Sequence, residues 1–116
     1  MTMLANVTEE RRGPIAIARV VGEIDASNVS WVEERLRGLL ANECAVLTVD
    51  LTATTYLDSA GIAMLFSLAK TLRQRQLQLR LVVAEESSIA RMVGLAGLAT
   101  AVPTHGSLAS ALAQPG

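Results

Sequence analysis

Polar and apolar positions alternate with period two in some stretches of this chain and recur at helical spacing in others. Around Met3 to Thr8 the alternation is weak, and it is followed by Glu9, Glu10, Arg11, Arg12, Gly13 and Pro14, a polar cluster ending in Gly-Pro that reads as a turn. Ile15 to Val21 is rich in β-branched residues, with Ile15, Ile17 and Val21 on one face, so the chain is expected to open with a hairpin. Gly22, Glu23, Ile24 and Asp25 end the second strand. Val29, Val32, Leu36, Leu39 and Leu40 then recur at helical spacing, with Asp25 or Ser27 available as the N-cap.

Cys44 to Leu51 is a β-rich run of the kind found in buried parallel strands. Thr52 to Asp58 reads as a polar loop. A second helix is expected from Ser59 to about Arg75, with Ile62, Leu65, Phe66, Ala69 and Leu72 as its apolar stripe. Leu77 to Val83 reads as another strand. Glu86, Ser87 and Ser88 offer caps for a short helix carrying Ile89, Met92 and Val93, closed near Gly94 or Gly97. Ala99 to Val102 reads as a last short strand, and Gly106-Ser107 starts a terminal helix through Leu108, Ala111 and Leu112. Helices alternating with strands imply an α/β fold, with a mixed, mostly parallel sheet flanked by helices in one domain over residues 1–116.

Composition narrows the function. Ten Lys and Arg against eleven Asp and Glu leave a net charge of −1, without the basic surplus that phosphate-bound nucleic acid demands. Only Trp31, Tyr56 and Phe66 are aromatic, too few for a base-stacking platform. At 51% hydrophobic and 18% charged, the chain is no disordered tail. Cys44, the only cysteine, permits no internal disulfide and reads as a small buried hydrophobe. The N-terminal residues lack the charge order of a signal peptide, and glycines and Pro103 interrupt the uncharged stretch after Met92 before it could span a bilayer. A cytoplasmic location without membrane insertion is expected.

Candidate chemistry concentrates at Tyr56-Leu57-Asp58-Ser59-Ala60-Gly61. A loop leaving the carboxyl end of a parallel strand is where α/β sheets place ligands and partners. Free amides and the helix dipole at its end suit an anion. On pattern alone, Asp58 reads first as an ordinary cap and Ser59 as a first-turn residue. Catalysis finds no support: the hydrolase elbow Gly-x-Ser-x-Gly lacks its first glycine at Leu57, and His105, the lone histidine and only candidate base, reads as a solvent-facing turn residue. A single histidine also argues against a histidine-built metal site, and no cofactor-binding fingerprint occurs.

Gly22-Glu23-Ile24-Asp25, Val49-Asp50-Leu51 followed by Tyr56-Leu57-Asp58-Ser59-Ala60-Gly61, and Gly94-Leu95-Ala96-Gly97-Leu98 occur in order along the chain. Together they resemble the STAS domain of anti-sigma factor antagonists over nearly the whole length. The resemblance implies a non-enzymatic module that binds an anti-sigma factor serine kinase when dephosphorylated and is released on phosphorylation. A PP2C-type phosphatase would reverse the mark. It makes Ser59 the phosphoacceptor and places Asp25, Ser27, Thr55, Asp58, Ala60 and Gly61 on the partner-binding surface. Ala60 stands where the family usually carries Ser or Thr. The same family includes subunits of transporters and lipid-transport ABC complexes and stressosome-type scaffolds, in which this surface would dock permanently.

Overall fold

The computed structural model describes residues 5–40 and 43–113. Strand β1 (Ala5–Arg12) and strand β2 (Ile15–Ile24) form an antiparallel hairpin in which Arg12 faces Ile15. The turn is therefore only Gly13 and Pro14, and Gly13 adopts φ +60°, as the first central residue of a two-residue hairpin turn requires. Glu9 to Arg12, expected as turn, are strand. β1 is an edge strand, and an edge tolerates charges on its open faces. Glu10 pairs with Arg12 at 2.7 Å, and Glu9 with Arg35 at 3.0 Å. The expected start of this strand at Met3 lies outside the described residues.

Helix α1 (Val29–Gly38) leads to β3 (Val46–Asp50), after which β4 (Thr54–Leu57) precedes helix α2 (Ser59–Gln74). Then come β5 (Gln78–Val82), α3 (Ser88–Leu95), α4 (Leu98–Ala101), β6 (Thr104–His105) and α5 (Leu108–Leu112). The sheet order is β1-β2-β3-β5-β6, parallel after the first pair. Each parallel step needs a crossover, and α1, α2 and the α3–α4 pair supply them.

Two elements differ from expectation. The Thr52–Asp58 stretch contains β4, which pairs in parallel with the carboxyl-terminal end of β2. β2 is ten residues long, and β3 occupies only its first half, through Arg19. The open half from Gly22 onward accepts β4, with a bulge at Gly22 where φ reaches +105°. Ala99 to Val102, expected as strand, falls largely in helix α4, and the last strand comes later at Thr104–His105. Short apolar runs do not distinguish helix from strand by pattern.

The main core lies between the sheet and the helices. Ala16, Ala18 and Val20 of β2 meet Leu47 and Val49 of β3 and Leu81 of β5 beneath Val32 and Leu36 of α1 and Leu65 and Leu68 of α2. The β2 face chosen from sequence is thus the opposite one: Ile17 is buried there, but Val21 is 41% exposed. On α2, Leu68 and Met64 join the buried stripe, and Phe66 is 37% exposed. Cys44 is buried, with its thiol donating to the Val46 carbonyl at 3.4 Å. Arg80 is buried too, its guanidinium donating to the Ala111 carbonyl of α5 at 2.8 Å and to Gln78 Oε1. No helix among the described residues is long and apolar enough to cross a membrane.

Candidate functional site

The site is built where β2 and β4 leave the sheet side by side. Ile24 and Leu57 are paired across the two strands, so the residues that follow them, Asp25 and Asp58, emerge together at the carboxyl edge. The Asp58 amide donates to the Ile24 carbonyl at 3.3 Å, tying the two exits.

Asp58 is the N-cap of α2. Its backbone is extended, and its Oδ1 accepts from the amides of Ala60 at 2.9 Å and Gly61 at 3.1 Å. With the capping position taken, the Ser59 side chain points outward and is exposed. The cap also consumes donors that an anion at this helix start was expected to use. Ile62's amide goes to the Asp58 carbonyl at 3.0 Å, so among Ser59 to Ile62 only the Ser59 amide is left without a partner.

Gly61 has a packing role. A Cβ there would overlap Leu57 Cδ1 and press on Ile24 Cγ2 at 3.2 Å. Its absence lets the first turn of α2 lie directly on the β2–β4 pair. Gly61 is itself buried, so it sets the height of the site from below. Thr55 and Tyr56 on β4 are exposed beside it, whereas the Thr54 hydroxyl is buried and donates to the Val20 carbonyl at 2.8 Å.

Neither Asp25 nor Ser27 caps α1. Asp25 Oδ1 accepts from the Ser27 amide at 2.8 Å and the Ser27 hydroxyl at 2.5 Å, closing a small turn. These bonds, with the Ser27 hydroxyl foremost, hold the Asp25 carboxyl below its ordinary range against a smaller opposing effect of burial. The N-cap position is Asn28, whose side chain makes no capping bond. Asn28 is buried and faces back instead: its Oδ1 accepts from the Asp25 amide at 3.0 Å and its Nδ2 donates to the Glu23 carbonyl at 2.8 Å. It braces the Asp25 turn against the end of β2. Sequence reasoning passed over Asn28, although asparagine before a helix is a known turn former.

A second feature was not expected. Between the start of α2 and the exposed side of α3 lies an open, apolar groove of about 430 Å³, lined by Ser59, Ile62, Arg91, Met92 and Leu95 among others. Ile89 and Val93 bury α3 against the core. Met92, expected among them, turns into the groove, and Leu95 is 83% exposed.

Ser59 and His105 are not brought together. His105 sits in β6, with Nδ1 3.5 Å from Ser110 Oγ, and makes no hydrogen bond to Ser59. Among the described residues, no three His, Cys, Asp or Glu side chains gather as a metal site.

The STAS domain profile matches residues 6–111. The anti-sigma-B factor antagonist of Listeria monocytogenes is 43% identical over 60 residues, which cover 52% of this chain and 53% of that protein. The chain thus aligns with about half the length of this relative. Among solved structures, an anti-sigma factor antagonist from Mycobacterium paratuberculosis superposes with a TM-score of 0.84 at 24% identity, covering 94% of this chain and 92% of that one. The Bacillus cell fate determinant SpoIIAA in its phosphorylated form superposes with a TM-score of 0.66 at 15% identity, covering 93% and 97%. At these identities the superpositions establish the fold, a six-stranded, mostly parallel sheet flanked by helices.

Proposed function

This chain belongs to the STAS domain family, and from that premise we propose that it is an anti-sigma factor antagonist that works by partner switching. Dephosphorylated, it binds an anti-sigma factor serine kinase through the face that carries Asp25, Ser27, Thr55, Asp58 and Ala60, with Gly61 supporting that face from beneath. The kinase moves the γ-phosphoryl of ATP onto Ser59 Oγ, the hydroxyl proton leaves, and ADP is released. The modified protein then lets go, and a PP2C-type phosphatase resets it. The setting is the cytoplasm, where sigma factors act.

The observation that carries this reading is the free, outward Ser59 hydroxyl at a braced junction beside the Asp25 turn. Phosphate adds about −1.5 to −2 charges there. A partner packed on the face would have to bury that charge unpaired, at a cost of several kcal/mol. Each 1.4 kcal/mol is tenfold in affinity, so the modification suffices to break the complex without unfolding anything.

Incubation with the anti-sigma kinase of the same cells and ATP should add one phosphate, located on Ser59 by mass spectrometry and lost in Ser59→Ala. The phosphorylated protein should no longer co-elute with the kinase. Phosphate on Ser27 or Thr55 would refute the assignment. Stable isolation of unmodified chain with permease and ATPase subunits would replace the switch with permanent docking.

A further inference from the structure

Phosphorylation of Ser59 poses a local electrostatic problem. The amides of Ala60 and Gly61 are held by Asp58 Oδ1, and that of Ile62 by the Asp58 carbonyl. The phosphate therefore gains little from the helix start, and the Asp58 carboxylate lies one residue away. The Asp25 carboxylate lies on the neighbouring strand exit. A doubly charged group among carboxylates calls for a cation.

The groove supplies one. Ser59 and Arg91 line the same cleft, and among the described residues Arg91 is the one charged residue lining it. Its side chain is exposed and engaged in no hydrogen bond or ion pair among the described residues. Arg35 and Arg37 on α1, by contrast, are committed: Arg35 to Glu9, and Arg37 to Glu33, Thr71 and Ser67. Guanidinium matches phosphate geometry with two parallel donors, which a lysine ammonium cannot reproduce.

We propose that Arg91 is the intramolecular receptor of the Ser59 phosphate, binding it across the groove between α2 and α3. The inference rests on the phospho-switch reading for its biological meaning.

The test needs no kinase. Phosphoserine is installed at position 59 of the full chain during translation by suppression of an amber codon, in the parent, Arg91→Gln and Arg91→Lys proteins. The phosphate is titrated by phosphorus NMR at low salt. Asp58 and Asp25 are present in all three proteins and cancel in the comparison. Arg91→Gln should raise the second phosphate pKa by roughly 0.2–0.7 unit, the range expected of an exposed ion pair. Arg91→Lys should fall between, and about 1 M salt should remove most of the difference. The Arg91 Nε resonance should move on phosphorylation in the parent protein. Identical titrations in parent and Arg91→Gln, with an unmoved Nε resonance, would overturn the proposal. Because the phosphate is placed synthetically, that result would leave the partner switch standing. A kinase that ignores Ser59 would remove the switch without touching the Arg91 contact.

Discussion

The Asp58 amide donates to the Ile24 carbonyl at 3.3 Å, one step beyond the last strand pair of β2 and β4. This bond carries the sheet ladder into the cap of α2. The Asp25 turn and the Ser59 hydroxyl therefore ride on one rigid platform, although they lie more than thirty residues apart in the chain. The cap, the close packing beneath it and the two carboxylates can each be perturbed separately.

Asp58, and not Ser59, closes the start of α2. Asp58→Ala should lower stability by about 1 kcal/mol, within the usual 0.5–2 range for a lost cap. Ser59→Ala should stay within about 0.5 kcal/mol of the parent. Urea denaturation of both variants checks the pair, and a reversed order would mean that Ser59 is the cap.

Gly61→Ala puts a methyl group into Leu57 Cδ1 and against Ile24 Cγ2. Leu57 is buried and has little room to yield. A loss of about 1–3 kcal/mol is expected from overpacking, against the small gain in helix propensity that alanine normally brings. Thermal melting decides: a stabilised variant would show that α2 does not lie so close on the strands.

Ser59→Asp should melt close to the parent protein, because the site is exposed and the cap intact. If partner switching is correct, its affinity for the anti-sigma kinase should drop at least about tenfold, as titration calorimetry would show. Amide shifts should change near Leu57 to Leu65 and around Asp25, which the strand pairing places alongside. Shifts spreading to β5 would point to a conformational change in place of local charge.

The Asp25 carboxyl is held below its ordinary range chiefly by the Ser27 hydroxyl. A carboxylate whose folded pKa is depressed contributes stability that is present above its unfolded pKa, about 3.9. That contribution is lost as pH falls through the lower, folded value. Ser27→Ala should therefore raise the Asp25 pKa toward normal and reduce the acid dependence of stability below about pH 4. Carbon-detected NMR titration of the Asp25 carboxyl reads this directly, and an unchanged pKa would transfer the effect to the backbone amides.

Local physics made much of this molecule readable from its order of residues. β3 is a run dominated by Val, Leu and Thr, buried at all five positions, and α2 announces itself by period and by Asp58 before Ser59. Ser87 and Ser107 cap the later helices where hydroxyls were expected to do so. These signals lie within a few residues of the structure they specify. The motif at Asp58 to Gly61 was legible in the same way, as a helix start, and the family resemblance added its meaning.

Tertiary structure decided what depends on a distant partner. β4 has two of its four residues exposed and forms because the far half of β2 offers an unpaired edge. Asn28 turns back to Glu23 and leaves α1 without a side-chain cap, since the end of β2 presents a free carbonyl. The groove that joins Ser59 to Arg91 exists only once α2 and α3 lie side by side. Hydrogen-bond periodicity and capping are short-range and are written locally. Strand edges, close approaches and clefts are set by surfaces that meet only when the chain has folded.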